Sequence, residues 1–228
     1  MKKVNGFDTI LSSLVFLGMS FALYMAFIYA PTERTMGEVQ RIFYFHVSSA
    51  WLAFLAFFLV FIFSILYLIT HQRKFDMLAV ANAEVGVVFC TIVLVTGPLW
   101  AKPVWGIYWT WDARLTSSLI LWLIYISYLM MRAYIADENK RGNLAAIVGI
   151  IGFLDVPIVY MSIRWWRTQH PSPVIMGGED SGLAPDMRTA FFVCLIAFTL
   201  LFLYLTRKRY QLEKLESDVD QLYKLAQR

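Results

Sequence analysis

Six stretches of this chain, residues 10–29, 43–69, 78–97, 117–134, 144–162 and 189–206, are apolar over roughly the 20 residues a helix needs to cross about 30 Å of hydrocarbon. Backbone groups in lipid must be satisfied within their own segment, so the pattern predicts an all-α polytopic membrane protein with six transmembrane helices. Composition agrees: 59% of residues are hydrophobic and 16% charged, too little polar surface for a soluble globule. Disordered, collagen-like and disulfide-stapled secreted chains are excluded on the same grounds. The first stretch follows Lys2 and Lys3 as a signal peptide would. It is long, lacks a small-x-small cleavage site near Ile28-Tyr29-Ala30 and precedes further spans, so it is expected to be retained.

Short clusters of basic residues set the orientation. Lys2/Lys3, Arg73/Lys74, Arg132/Lys140/Arg141 and Arg207/Lys208/Arg209 all fall on one side of a six-span chain, which places both termini in the cytoplasm. Residues 30–42, 98–116 and 163–188 then form the outer connections. The formal charge of +4 is dispersed into these clusters and not gathered on one face, so nucleic-acid binding is not expected. Cys90 and Cys194 lie in apolar runs without metal-ligand or CxxC spacing and read as small buried hydrophobes.

The sequence divides into a six-span membrane domain, residues 1–206, and a cytoplasmic amphipathic tail, residues 207–228. In the tail Leu212, Leu215, Val219, Leu222 and Ala226 recur at 3-4-3-4 spacing among charged residues. Two readings stay open: a solvated helix end lying on the bilayer or its own bundle, and a coil that docks a partner or pairs with itself.

All eight tryptophans, Trp51, Trp100, Trp105, Trp109, Trp111, Trp122, Trp165 and Trp166, fall in the outer connections or the outer halves of adjoining spans. An interfacial aromatic belt would decorate both sides. The one-sidedness points to a large flat apolar ligand or a protein partner. Two histidines share that side: His46, in Arg41-Ile-Phe-Tyr-Phe-His46, and His170, in Trp165-Trp-Arg-Thr-Gln-His170. Alone, each reads as a hydrogen-bonded interface residue. Together, beside the tryptophans, they suit the two axial ligands of a haem iron, with the macrocycle resting on aromatic rings. His71, next to Arg73 and Lys74, reads as solvated.

Seven basic residues oppose the orientation bias by lying outside: Arg34, Arg41, Lys102, Arg114, Arg164, Arg167 and Arg188. Some have Glu33, Glu38, Asp112, Glu179, Asp180 or Asp186 as partners within reach in sequence. Arg41, Arg114 and Arg167, nearest the histidines and tryptophans, are the candidates for haem propionates. Glu84 and Asp155 lie within apolar spans and are each expected to be paired, hydrated, protonated or near an interface, and Pro157 is expected to kink its helix. No nucleophile–base pair, phosphate-cradling glycine loop or thiolate motif is present, so ATP hydrolysis by this chain is not expected.

The segment Trp105-Gly-Ile-Tyr-Trp109-Thr-Trp111-Asp112-Ala-Arg114-Leu-Thr116 resembles the tryptophan-rich WWD signature of the haem-handling proteins of cytochrome c biogenesis. Six spans, with one outer histidine before the signature and one after it, resemble the cytochrome c maturation protein C family, also called haem exporter protein C, over the chain up to the sixth span. The resemblance implies haem b held non-covalently, in transit, at the outer face of a bacterial inner membrane. His46 and His170 would be its axial ligands, with Trp100, Trp105, Trp109, Trp111 and Asp112 at the platform. It further implies presentation to a periplasmic haem chaperone, cytochrome c maturation protein E. An ABC-type ATPase and permease pair and a small single-span subunit are the other implied partners.

Tyr108 stands where many relatives carry tryptophan, and the charged tail is outside the expected family pattern. The larger relatives that join haem to apocytochrome carry additional spans or domains, which argues against complete synthase activity here. "Haem lyase" is a family label, since the residues supply ligation and positioning without an evident catalytic base. Two other functions compete: a membrane electron-transfer subunit with permanently bound haem, whose ligands are commonly mid-span, and a solute permease, for which only Glu84, Asp155 and Pro157 speak.

Overall fold

The computed structural model describes residues 6–171, 174–175 and 182–226. Six of its helical segments are long and apolar enough to span a membrane, namely Gly6–Tyr29, Glu38–Thr70, Arg73–Trp105, Ala113–Tyr134, Glu138–Trp165 and Pro185–Tyr223. They are built from α1 (Gly6–Tyr24, closed by a π-helical turn, Met25–Tyr29), a 3₁₀ turn (Glu38–Arg41), α2 (Ile42–Thr70), α3 (Arg73–Trp105), α4 (Ala113–Tyr134), α5 (Glu138–Phe153), α6 (Asp155–Trp165) and α7 (Pro185–Ala226). Lys2 and Lys3, used above to orient the chain, and Glu179 and Asp180, offered as ion-pair partners, lie outside the described residues.

The α2–α3 hairpin is the centre of the bundle. Helix α2 packs on α3, α5 and α7, α4 packs on α3, α5 and α6, and α1 lies at the periphery, mainly against α7. Helices in lipid gain little from hydrophobic transfer between them, so close approach is made by small residues. A Cβ on Gly86 of α3 would stand 2.7 Å from the Phe57 ring and 2.9 Å from Ala56 of α2. On α5, Gly142 and Gly149, two turns apart, meet Tyr67 and Ser64 of α2 in the same way. Phe57 in turn stacks on Tyr125 of α4, with ring centroids 3.8 Å apart, which ties three helices to one layer.

Local chemistry sets the helix ends. His71 takes a left-handed conformation after α2 and donates its N–H to the Tyr67 carbonyl. Gly106, at φ 80°, does the same for α3, closing on Lys102. The Asp112 carboxylate accepts the Leu115 N–H at 3.0 Å and caps α4, and Asp137 caps α5 through Lys140 N–H at 2.7 Å. The fifth span breaks at Leu154. Pro157 has no N–H to give the Phe153 carbonyl, and the helix divides there into α5 and α6.

The third span runs further than its hydropathy suggests. Residues 98–105, expected in a connection, continue α3 with Pro98 and Pro103 inside it, so Trp100 and Trp105 sit on a helix end. Nor does α7 stop at residue 206: it continues unbroken to Ala226, so the tail is the distal half of the sixth helix.

Connections 30–37 and 106–112 and the described parts of the third, 166–171 and 182–184, lie at one end of the bundle. The opposite end is laced with ion pairs: Asp8 with Arg207 (2.6 Å) and Lys208 (2.7 Å), Arg132 with Asp76 (2.5 Å), Arg73 with Glu138 (2.6 Å), and Arg209 with both Glu84 and Glu213. Glu84 is therefore one of the paired carboxylates. Asp155 is not: its Oδ2 is buried without a hydrogen-bond partner.

Candidate functional site

His46 occupies the second turn of α2, its side chain turned toward α3 and 8% exposed. Its Nδ1 lies 2.8 Å from the Thr96 hydroxyl, and that hydroxyl is itself 2.6 Å from the Ile92 carbonyl one turn back. A carbonyl only accepts, so the threonine proton points to Ile92 and its oxygen accepts from His46. The proton of the imidazole is thereby on Nδ1, and Nε2 carries the free lone pair. Gly97 passes the ring so closely that a Cβ would stand 3.4 Å from Cε1.

His170 reaches the same state by a different route. Half-buried in the connection after α6, it donates from Nδ1 to the Pro171 carbonyl at 2.9 Å, again leaving Nε2 free. Burial, and next the Arg114 charge, push His170 down to about 4, so the ring is neutral near pH 7. His46 is within electrostatic reach of both His170 and Arg114. The two imidazoles, remote in sequence, and the Arg114 guanidinium thus lie at the same end of the bundle.

Arg114 is placed by donating from Nη1 to the Val159 carbonyl of α6, which joins the start of α4 to the last turns of the fifth span. Asp112 sits two residues earlier as the α4 cap, with the Thr110 hydroxyl donating to its other oxygen at 3.2 Å. Trp100 meets His46 edge to face at 5.9 Å and Phe43 at 6.2 Å, its Nε1 buried without a partner. Trp109 and Trp111 pair edge to face at 5.7 Å. Trp109 has a buried, unpartnered Nε1, whereas Trp111 is 76% exposed. A shallow cleft is lined by Ala101, Trp105, Ile107, Tyr108, Trp109 and Gln169 among others, so the residue before His170 lies against the tryptophan segment. It encloses no space for a water molecule, and the surface here is a shelf, not a cavity.

Arg41 is committed to the end of the first span: its guanidinium donates to the Ala26 and Ala30 carbonyls at 2.6 and 3.1 Å and pairs with Glu38. Those carbonyls belong to the π-helical turn and the residue after it, and Arg41 acts as their cap. Arg167 is exposed on the segment leading to His170. Thr96 and Gly97, which fix and flank His46, were not singled out from the sequence. The signal available was a threonine one helical turn before the tryptophan segment, which is too common in spans to stand out.

Fold and site define a class: a six-span membrane protein with two histidines and a tryptophan-rich segment at one end of its bundle. The chain belongs to the family described as "Heme exporter protein C", whose family model matches residues 3–224. The match runs through the tail, which corrects the expectation that the family pattern ends with the sixth span. Relatives named "Heme exporter protein C" include one from Haemophilus influenzae, 32% identical over 90% of this chain and 83% of its own length. Another, from Bradyrhizobium diazoefficiens, is 35% identical over 82% and 71%. A ccmC-like mitochondrial protein of cytochrome c biosynthesis from Marchantia polymorpha is 38% identical over 71% and 68%.

Proposed function

We propose that this chain takes haem at the connection-rich end of the bundle, with His46 and His170 as the two axial ligands, and presents it for cytochrome c maturation. The observation that carries the reading is the matched state of the two rings. Each has Nδ1–H fixed by an acceptor, the Thr96 hydroxyl or the Pro171 carbonyl, and each leaves Nε2 unprotonated. That is the arrangement by which proteins orient metal-binding histidines and raise their basicity. The names of the relatives support the cargo.

Each part of the shelf has its own task. Trp100 packs against His46 and keeps water from its face, while Trp105, Trp109 and Trp111 offer aromatic surface to a planar apolar cargo. Arg114, charged and close to both histidines, is the arginine best placed for a propionate, with donors left beyond its bond to Val159. Asp112 acts by capping α4 and so setting where Arg114 begins. An open shelf suits a cargo in transit, since haem b held without covalent attachment must also leave.

On this reading the connection-rich end faces the periplasm of a bacterial inner membrane, and the receiver is the periplasmic haem chaperone, cytochrome c maturation protein E. The ABC-type ATPase and permease pair and the small single-span subunit are its membrane partners. Purified protein should give a six-coordinate low-spin haem spectrum, oxidised and reduced. His46→Ala and His170→Ala should each lose or alter that spectrum while the protein remains monodisperse, and full low-spin haem in the double variant overturns the ligand assignment.

A further inference from the structure

Helix α1 meets α7 through small residues. Gly18 packs at Ala197 and Leu200, and the Ala22 carbonyl accepts from the Cys194 thiol. Beside that contact the two helices part, and a groove of about 470 Å³ opens between them, lined by Ser12, Val15, Phe16, Met19 and Leu23 of α1 and Tyr204 of α7 among others. That volume is in the range of a ligand site, and both helices are apolar enough here to lie in hydrocarbon.

The groove has one charged end. At 3.6 residues per turn Asp8, Ser12, Val15, Met19 and Leu23 share one face of α1, and Tyr204 and Lys208 share one of α7. Away from the histidines the groove therefore runs into the cluster in which Asp8 pairs with Arg207 at 2.6 Å and Lys208 at 2.7 Å. The Lys208 ammonium also stands 5.6 Å from the centroid of the Tyr204 ring. Two cations meet one carboxylate, which leaves a positive charge in excess. Arg207 spends its Nε on Asp8, and its terminal nitrogens have no acceptor among the described residues. The cations are also the accessible members of the cluster, with side chains 35% and 39% exposed against 12% for Asp8. The five residues before Gly6 include Lys2 and Lys3 and no acid, so their charge adds to the excess.

Shape and charge together select the occupant. Helices pack in lipid where small residues let backbones approach, whereas Phe16, Met19, Leu23 and Tyr204 stand along this groove. An acyl chain is narrow and flexible enough to lie among them. From Ser12 to Leu23 the groove runs about 16 Å at 1.5 Å per residue, close to half of the roughly 30 Å of hydrocarbon and so to the depth of one leaflet. The headgroup of such a lipid meets Arg207 and Lys208. These favour a phosphate ester with net negative charge over a zwitterion, whose ammonium would bring a cation to a site already positive.

We infer that the groove between α1 and α7 binds one anionic phospholipid, with an acyl chain along Ser12 to Leu23 and its phosphate on Arg207 and Lys208, in the leaflet opposite the histidines. The site is independent of the haem assignment, because it shares no residue with the shelf.

The test uses the full chain in nanodiscs of phosphatidylglycerol and phosphatidylcholine in equal amounts, with retained lipid read by native mass spectrometry. One phospholipid per chain should survive release, with phosphatidylglycerol favoured about fivefold, the effect of one basic charge near the surface. Asp8→Asn leaves both cations unopposed and should raise that preference about fivefold again. Asp8→Asn/Arg207→Gln/Lys208→Gln should return it to the ratio of the mixture. Ser12→Phe fills the groove without touching the charges and should remove retained lipid of both kinds, while helical content and monodispersity match the parent. A cluster that only fastens α1 to α7 would be weakened by Asp8→Asn and by the triple change alike, so opposite shifts distinguish a headgroup site from a brace. No retained lipid in the parent, a parent ratio equal to the mixture, a fall in preference in Asp8→Asn, unchanged retention in Ser12→Phe, or a second copy of the chain retained in place of lipid overturns the inference. Loss of the haem spectrum in the histidine variants with the lipid still bound would concern the shelf alone.

Discussion

Thr96 fixes the tautomer of His46. Its hydroxyl, 2.6 Å from the Ile92 carbonyl and 2.8 Å from the imidazole Nδ1, can give its proton only to the former and must accept from the latter. A residue one helical turn before the tryptophan segment thus decides which nitrogen of a histidine fifty residues away holds the proton.

Thr96→Val keeps the shape of the side chain and removes the acceptor. The ring then loses its fixed orientation and is free to expose either nitrogen, so haem affinity should fall about 10- to 100-fold. Thr96→Ser should retain most of it. Haem titration of the apoprotein in nanodiscs, followed by absorbance, separates the two. Equal affinity in the valine variant and the parent would remove Thr96 from the account.

Gly86→Val should cost stability without touching the shelf. The added Cβ would meet the Phe57 ring at 2.7 Å and Ala56 at 2.9 Å, and Ala56 has no side-chain freedom with which to yield. Overpacking of this kind costs about 1–3 kcal/mol. The expected readout is a lower thermal midpoint in detergent, with an unaltered haem spectrum in protein that remains folded.

The spans were legible because hydrocarbon thickness imposes a length on each apolar run, and their parity is what puts His46 and His170 at the same end of the bundle. Proline misled at residues 98–105. In water, Pro98 and Pro103 would signal a connection, but the apolar surroundings leave helix as the only way to satisfy the neighbouring amides, and α3 continues to Trp105. Arg41 was grouped with the histidines by nearness in sequence, whereas its guanidinium turns back to the carbonyls that end the first span. Direction of a side chain at a helix start depends on which backbone groups lack partners, and the π-helical turn that creates them has no sequence signature.

Arg132 and Asp76 form a bidentate pair at 2.5 and 3.0 Å, with side chains only 8% and 12% exposed. Removing one partner leaves a charge buried alone, so Asp76→Leu or Arg132→Met should each destabilise by about 3–5 kcal/mol. The double variant Asp76→Leu/Arg132→Met, which removes both charges, should recover most of the loss. A double-mutant cycle on thermal midpoints reads the difference; additivity of the two single losses would show that the pair is not coupled.

The turn between the first and second spans should loosen in acid. Glu33 accepts the N–H groups of Met36 and Thr35, the latter at 2.8 Å, and these bonds hold its carboxyl below the usual range, the Met36 bond first. A lowered folded value means that the contribution is fully present above the unfolded pKa and is lost as pH falls through the folded one. Amide exchange at Thr35 and Met36 should therefore be slow at neutral pH and accelerate, beyond the intrinsic chemistry, only when the solution is more acidic than an ordinary glutamate titration. Glu33→Gln should abolish that pH step. A step of the same size in the variant would assign the transition to another group.

Trp111 separates holding haem from folding the protein. Its ring is 76% exposed, and among the described residues its one aromatic contact is the edge-to-face pair with Trp109. Trp111→Ala should change stability by no more than about 0.5 kcal/mol, the range of ordinary surface substitutions. Trp100→Ala should behave differently, because that ring packs against both Phe43 and His46 and its loss opens a space beside that histidine. If the shelf contacts the cargo, Trp111→Ala should retain the low-spin spectrum, since both histidines are untouched, yet slow the passage of haem to the chaperone at least tenfold. Trp100→Ala should disturb the spectrum itself. Stopped-flow transfer measured beside equilibrium spectra distinguishes the two, and unchanged transfer in Trp111→Ala would mean that the exposed tryptophan serves the membrane interface and not the cargo.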